Sequence, residues 1–140
     1  LGKKGKGILP IVSNMPKDNH SLMQLYLDGN KNNFFTFFYV DEKVSNSISS
    51  KDILSSHQYL KNKNVNDILK AQFIATQNIF KKKNIPFRTF YLNKRNEQSL
   101  GELFTFFILE TILLANALNI NPYNQPAVEL IKIETKKILS

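Results

Sequence analysis

The chain has 140 residues, of which 42% are hydrophobic and 21% charged, and its formal net charge is +8. This balance excludes an intrinsically disordered chain, and the absence of cysteine excludes disulfides and thiol catalysis. An excess of lysine can indicate nucleic-acid binding. Here the lysines are scattered or gathered at one predicted helix end, so we expect no nucleic-acid partner.

The first half of the chain alternates apolar runs with helical patterns. Ile8–Val12 predicts a short buried strand, and Ser21–Leu27 predicts a helix with its apolar residues on one face. Phe34–Val40 is a continuous aromatic and β-branched run, which is typical of a strand covered on both faces. A polar, serine-rich loop follows, and residues 52–60 predict a short helix.

The second half begins with a longer predicted helix, which Asn66 opens. The helix ends at Lys81–Lys83, where the helix dipole favours cations. Pro86 then precedes Phe87–Leu92, which predicts the third strand. A last helix is predicted between residues 121 and 137.

The most apolar segment, Leu103–Leu118, belongs to a helix that Ser99 and Glu102 open as a capping box. The segment contains Glu110 and Asn116, and it is shorter than the ~20 apolar residues needed to span a bilayer. We therefore predict a buried helix and no membrane partner.

The alternation of strands and helices predicts parallel strands joined by crossover helices. The expected fold class is α/β, with three layers in which a mostly parallel sheet is flanked by helices. The sequence contains no glycine-rich phosphate loop and no cluster of metal-ligand residues, so we expect neither metal nor cofactor.

The most informative segment lies near the end of the chain. Asn124 is placed to cap a helix, and Gln125 and Lys132 are seven residues apart, which puts both on one helix face. An amide and an ammonium beside free backbone N–H groups suit a small anionic ligand rich in hydroxyls. The alternative is an ordinary amphipathic helix in which Lys132 pairs with Glu129. Spacing alone leaves both interpretations open.

Three blocks carry a resemblance to a known family. The run Asn121–Lys132 resembles the C-terminal signature of the glucose-6-phosphate isomerase family, although Ala127 replaces the usual Gly and Asn124 replaces the commoner Asp. Asp18–Gly29 resembles the stretch around that family's active-site histidine, and Gly101–Thr111 resembles the helix before the signature. The residues on the signature pattern are Tyr123, Asn124, Gln125, Val128, Glu129 and Lys132.

The resemblance implies a fold, a reaction and a setting. Residues 1–140 would be the C-terminal part of the second sugar-isomerase-type, flavodoxin-like domain of the family. The implied reaction interconverts glucose 6-phosphate and fructose 6-phosphate, in glycolysis and gluconeogenesis, without metal or cofactor. The resemblance also implies a cytoplasmic homodimer with shared active sites.

The resemblance further implies residue roles. His20 and Lys132 would open the cyclic sugar, and Gln125 would contact the substrate. Leu1–Lys3 resembles the tail of the family's Glu-Ser-x-Gly-Lys motif, which places the catalytic glutamate two residues before Leu1. The chain by itself is therefore expected to be inactive.

Two further possibilities bear on this assignment. Glu129 could replace the missing base, but one helical turn from Lys132 it is better placed to hold that lysine in an ion pair. The alternative function is a non-catalytic, sugar-phosphate-binding regulatory domain, against which the retention of His20 together with Gln125 and Lys132 argues. His57 has no motif around it and is expected to be solvated or structural.

Overall fold

The computed structural model describes residues 2–42, 47–49 and 53–140. The chain divides into two compact units, one of Ile11–Ser99 and one that combines Leu1–Pro10 with Leu100–Ser140. The helices and strands, in chain order, are α1 (Lys17–Ser21), α2 (Met23–Asp28), β1 (Phe35–Val40), a 3-10 helix (Ser55–Leu60), α3 (Val65–Lys82), β2 (Phe87–Leu92), α4 (Glu97–Ala117) and α5 (Pro126–Leu139).

The two central apolar runs form a parallel sheet, as the sequence predicts. β1 pairs with β2 in a register that joins Phe35 to Phe87 and Val40 to Leu92. Because parallel neighbours need a crossover connection, the chain between them carries α3. The predicted α/β class, a parallel sheet flanked by helices, is therefore confirmed.

The predicted strand at Ile8–Val12 is wrong. These residues carry no strand assignment, and Ile8 and Val12 are 86% and 85% exposed. A β-strand requires backbone hydrogen bonds to a neighbouring strand. In the described part of the chain, no strand pairs with these residues. An apolar run alone was not sufficient to make a strand here.

Phe80 of α3 is the centre of the core of the unit Ile11–Ser99. Its side chain is 1% exposed, and its ring meets Phe35 at 4.9 Å, Phe37 at 5.3 Å and Phe87 at 6.1 Å between centroids, in edge-to-face geometry. Edge-to-face aromatic pairs are stabilising beyond the area that they bury. The alternation along each strand thus directs one row of rings toward α3.

α3 has a side-chain cap at its start and lysines at its end, as is usual for helix termini. Asn64, two residues before the predicted start, caps the helix, because its side chain accepts the Asp67 N–H at 2.8 Å while the Asp67 carboxylate accepts the Asn64 N–H at 3.2 Å. Just past the other end, Lys83 forms an ion pair with Asp28 at 2.5 Å. The hydrogen bond from Lys83 holds the pKa of the Asp28 carboxyl below its usual value.

The helix α4 begins earlier than predicted and is less buried. The Asn96 side chain accepts the Ser99 N–H at 2.9 Å, so Ser99 lies inside the first turn and does not cap the helix. The prediction of a buried helix is wrong for the described chain, because apolar side chains such as Phe104 and Leu113 are 59% and 68% exposed. A helix that is apolar on every side is typical of the core of a larger protein or of a membrane span.

By length and composition, α4 could cross a membrane. It has 21 residues, and 6% of its most apolar stretch is buried. Core helices of globular proteins meet the same criterion. Glu102 and Glu110 lie within α4, and because ionised side chains are costly inside a bilayer, they favour packing against protein.

Candidate active site

The helix predicted at the end of the chain exists as α5, and Gln125 lies at its entry. Gln125 is the N-cap residue with φ −133° and ψ 69°, and Pro126 follows at the first helical position. The Gln125 carbonyl accepts the N–H groups of Val128 at 3.1 Å and Glu129 at 3.4 Å. The Gln125 side chain makes no hydrogen bond within the described chain and is exposed, so its amide is available to a ligand.

The prediction that Asn124 caps this helix is wrong. Its side-chain oxygen accepts a hydrogen bond from Lys3 Nζ at 2.7 Å instead. A cation at hydrogen-bond distance competes strongly for a neutral acceptor, since charge-assisted hydrogen bonds are stronger than neutral ones. The Asn124 oxygen is therefore directed at a residue 121 positions earlier in the chain.

Lys132 is held by Glu129, as the sequence predicts. The Lys132 Nζ atom donates to Glu129 Oε1 at 2.6 Å, one turn apart on α5. Both side chains are largely exposed, so the pair contributes little to stability. Its effect is to orient the ammonium along the helix surface.

Gln125 lies at the N-cap of α5, before its first helical residue, and Lys132 lies within the helix. Seven residues correspond to a rise of about 10 Å along a helix. Lys132 lines a shallow surface groove together with residues such as Ile131 and Thr135, and Gln125 lies outside that groove. A pocket common to both side chains stays a prediction.

His20 belongs to the other unit and lies in α1. It is the fourth residue of that helix and is exposed. Its ring makes no hydrogen bond to any residue that the structure describes, which leaves both nitrogens accessible. The α1 turn itself is held by Asp18, whose carboxylate accepts the Asn14 N–H at 2.6 Å.

Next to His20, Asn19 lines a cavity of about 240 Å³ between α1, α2 and α3. The Asn19 Oδ1 atom is buried and has no hydrogen-bond partner within the described ranges. Met23, Ile79 and Phe80 make the cavity mostly apolar. Asn19 is thus oriented inward while His20 is oriented outward on the same short helix.

His57 shows no feature of a catalytic group. It lies in the 3-10 helix, where its Nδ1 atom is 2.8 Å from Ser56 Oγ and its ring is 5.9 Å from that of Tyr59. Local contacts of this kind fit the predicted structural or solvated role. In addition, no group of three histidine or acidic side chains that could hold a metal occurs among the described residues.

Sequence reasoning missed the role of Lys3. In the structure Lys3 Nζ donates to the Asn121 carbonyl as well as to the Asn124 side chain. The resemblance includes Lys3 in a motif, but nothing in the local sequence indicates which acceptor it meets. A partner so distant in the chain becomes visible only in three dimensions.

The comparisons with known proteins agree with the resemblance. No family model matches the chain, but curated glucose-6-phosphate isomerases do. That of Mycoplasmopsis pulmonis is 39% identical over 99% of the chain, and those of Methanocaldococcus jannaschii and Campylobacter jejuni are 34% and 32% identical over 99%. The chain spans about one third of the length of these relatives, 33–34% in each case.

A solved structure is similar in fold. The crystal structure of a hypothetical protein from Thermus thermophilus matches 90% of the chain with a TM-score of 0.79 at 25% identity, and the match covers 31% of that protein. The predicted resemblance to the glucose-6-phosphate isomerase family is therefore confirmed along nearly the whole chain, from the block around His20 to the Lys132 helix.

Proposed function

We propose that this chain is the C-terminal, ring-opening part of a glucose-6-phosphate isomerase, and that the complete protein interconverts glucose 6-phosphate and fructose 6-phosphate. The observation that carries the proposal is the similarity to several such enzymes over 99% of the chain at 32–39% identity. Because the chain spans only a third of those relatives, the activity is proposed for the longer protein.

The first chemical task is to open the cyclic sugar. The ring oxygen must gain a proton while the anomeric hydroxyl loses one, which gives the open-chain aldehyde or ketone. An imidazole can do either, since it titrates near neutral pH. We assign this task to His20, whose ring is exposed and makes no hydrogen bond with the described residues.

Lys132 supports the same step from α5. Its ammonium donates to Glu129 at 2.6 Å, which directs it along the helix surface. From that position it can donate a hydrogen bond to the sugar oxygen that gains negative charge as the ring opens. The exposed amide of Gln125, at the entry of the same helix, supplies a donor and an acceptor for neighbouring hydroxyls.

The second task is proton transfer between C1 and C2. A carboxylate removes the proton from the carbon next to the carbonyl, an enediol forms, and the proton returns to the other carbon. Glu129 is engaged by Lys132, so we assign the transfer to the glutamate expected two residues before Leu1. We further propose that the complete protein is a cytoplasmic homodimer in which His20 serves the partner's site.

The test is a coupled assay of the complete protein with fructose 6-phosphate, in which glucose 6-phosphate is detected as it forms. The proposal predicts turnover that does not depend on added metal and that falls in His20→Ala and Lys132→Ala variants. A complete protein that binds the sugar phosphate but does not convert it would contradict the proposal and would indicate the regulatory domain instead.

A further inference from the structure

A tight turn at the start of the described chain presents two lysines. Lys3 and Lys6 exchange both backbone hydrogen bonds, with N–H to carbonyl distances of 2.9 and 2.8 Å. The turn between them uses positive φ angles at Lys4 (53°) and Gly5 (69°). Gly5 adopts such a conformation without a steric penalty, so the turn is well suited to fix the two lysine side chains.

Both lysines reach the connection between α4 and α5, within one compact unit. Lys6 Nζ donates to the Leu118 carbonyl at 3.3 Å, directly after α4, where the helix dipole favours a cation. Lys3 Nζ donates to the Asn121 carbonyl and, at 2.7 Å, to Asn124 Oδ1. The two lysines of the turn therefore hold, by hydrogen bonds, the loop that leads into the proposed substrate-binding helix.

The first part of that loop is fixed against α4, because Ile120 is buried and donates its N–H to the Ala115 carbonyl at 2.9 Å. Between residues 121 and 124, the described side chains make two kinds of hydrogen bond. One kind comes from Lys3, and the other joins the Tyr123 N–H to Asn121 Oδ1 at 2.8 Å. Gln125 begins α5 without a side-chain cap and with non-helical backbone angles. The direction of its amide thus depends on where Asn124, the preceding residue, is held.

We infer that Lys3 is a positioning residue that sets the orientation of Gln125 by holding Asn124. The inference rests on the proposed function, because it presumes that Gln125 contacts the sugar phosphate. Lys3 lies four positions after the expected catalytic glutamate. Its side chain would therefore connect the segment that carries the base to Asn124, the residue before Gln125. Substrate contacts must be placed within fractions of an ångström to be effective.

The test is steady-state kinetics of Lys3→Met in the complete protein with fructose 6-phosphate. We expect kcat/KM to fall about tenfold or more, which is the effect of losing a charge-assisted hydrogen bond, with most of the loss in KM. Lys3→Arg should retain most of the activity, because it keeps a long cationic donor. Lys4→Met is the matched control, since Lys4 lies in the same turn and has no hydrogen bond among the residues described.

A double-mutant cycle separates positioning from a general structural role. If Lys3 acts through Gln125, Lys3→Met should cost little more in a Gln125→Ala background. The same full loss in both backgrounds, or no loss in Lys3→Met with an active wild type, would overturn the inference while leaving the proposed function intact. A wild-type complete protein without isomerase activity would overturn both.

Discussion

Replacement of His20 by alanine should separate ring opening from the later proton transfer. His20 is exposed and its ring makes no hydrogen bond in the described chain, so the substitution should change the free energy of unfolding by no more than about 0.5 kcal/mol. General acid–base help, in contrast, is worth about 10²–10⁴-fold in rate. We therefore expect kcat for the cyclic sugar phosphate to fall by that factor in a protein of unchanged stability.

The assay compares two substrates with the complete protein. One is the cyclic sugar phosphate, and the other is an open-chain analogue that cannot cyclise. His20→Ala should retain most of its activity on the open-chain analogue. His57→Ala is the matched control, because His57 is also exposed and makes only local contacts. Equal losses on both substrates would refute the assignment of His20 to ring opening.

The contacts of Lys132, Phe80 and Asp28 each lead to a prediction. Lys132→Ala should weaken transition-state binding by about 1.5–3 kcal/mol, or roughly 10- to 150-fold in kcat/KM, whereas Lys136→Ala, one turn further along the same groove, should have little effect. Phe80→Ala should lower the free energy of unfolding by about 3–5 kcal/mol in urea titrations, because its ring is 1% exposed. The pKa of Asp28 is lowered by its hydrogen bond from Lys83, so its contribution to stability should be present above the usual carboxyl pKa, decline as the pH falls through the lowered value, and vanish in Asp28→Asn.

The sequence was sufficient to predict the elements whose signals are local. Phe34–Val40 and Phe87–Leu92 are continuous aromatic and β-branched runs, and they form the parallel pair, with β1 starting at Phe35. The Glu129–Lys132 pair was also predictable, because a spacing of one helical turn brings the charges together.

Most of the features that the sequence did not reveal depend on distant partners. Ile8–Val12 has the composition of a strand but no neighbouring ladder in the described chain. Asn124 has the chemistry of a helix cap, yet Lys3 competes for its oxygen from 121 residues away. The predicted cap at Ser99 failed for a local reason: the Asn96 side chain, three residues earlier, accepts the Ser99 N–H and caps α4 instead. Local propensity cannot predict a strand or a helix cap when the outcome depends on residues far away in the sequence.

The central claim is that this chain supplies ring-opening and substrate-binding groups while the base lies outside it. The most direct measurement is the coupled assay with fructose 6-phosphate, made in parallel on the purified 140-residue chain and on the complete protein. The account predicts turnover by the complete protein and none above background by the chain, because acid–base help of about 10²–10⁴-fold falls short of the roughly 10⁶-fold or more of typical enzymes. Turnover by the chain alone would contradict it, and its loss in Glu129→Gln would identify Glu129 as the base.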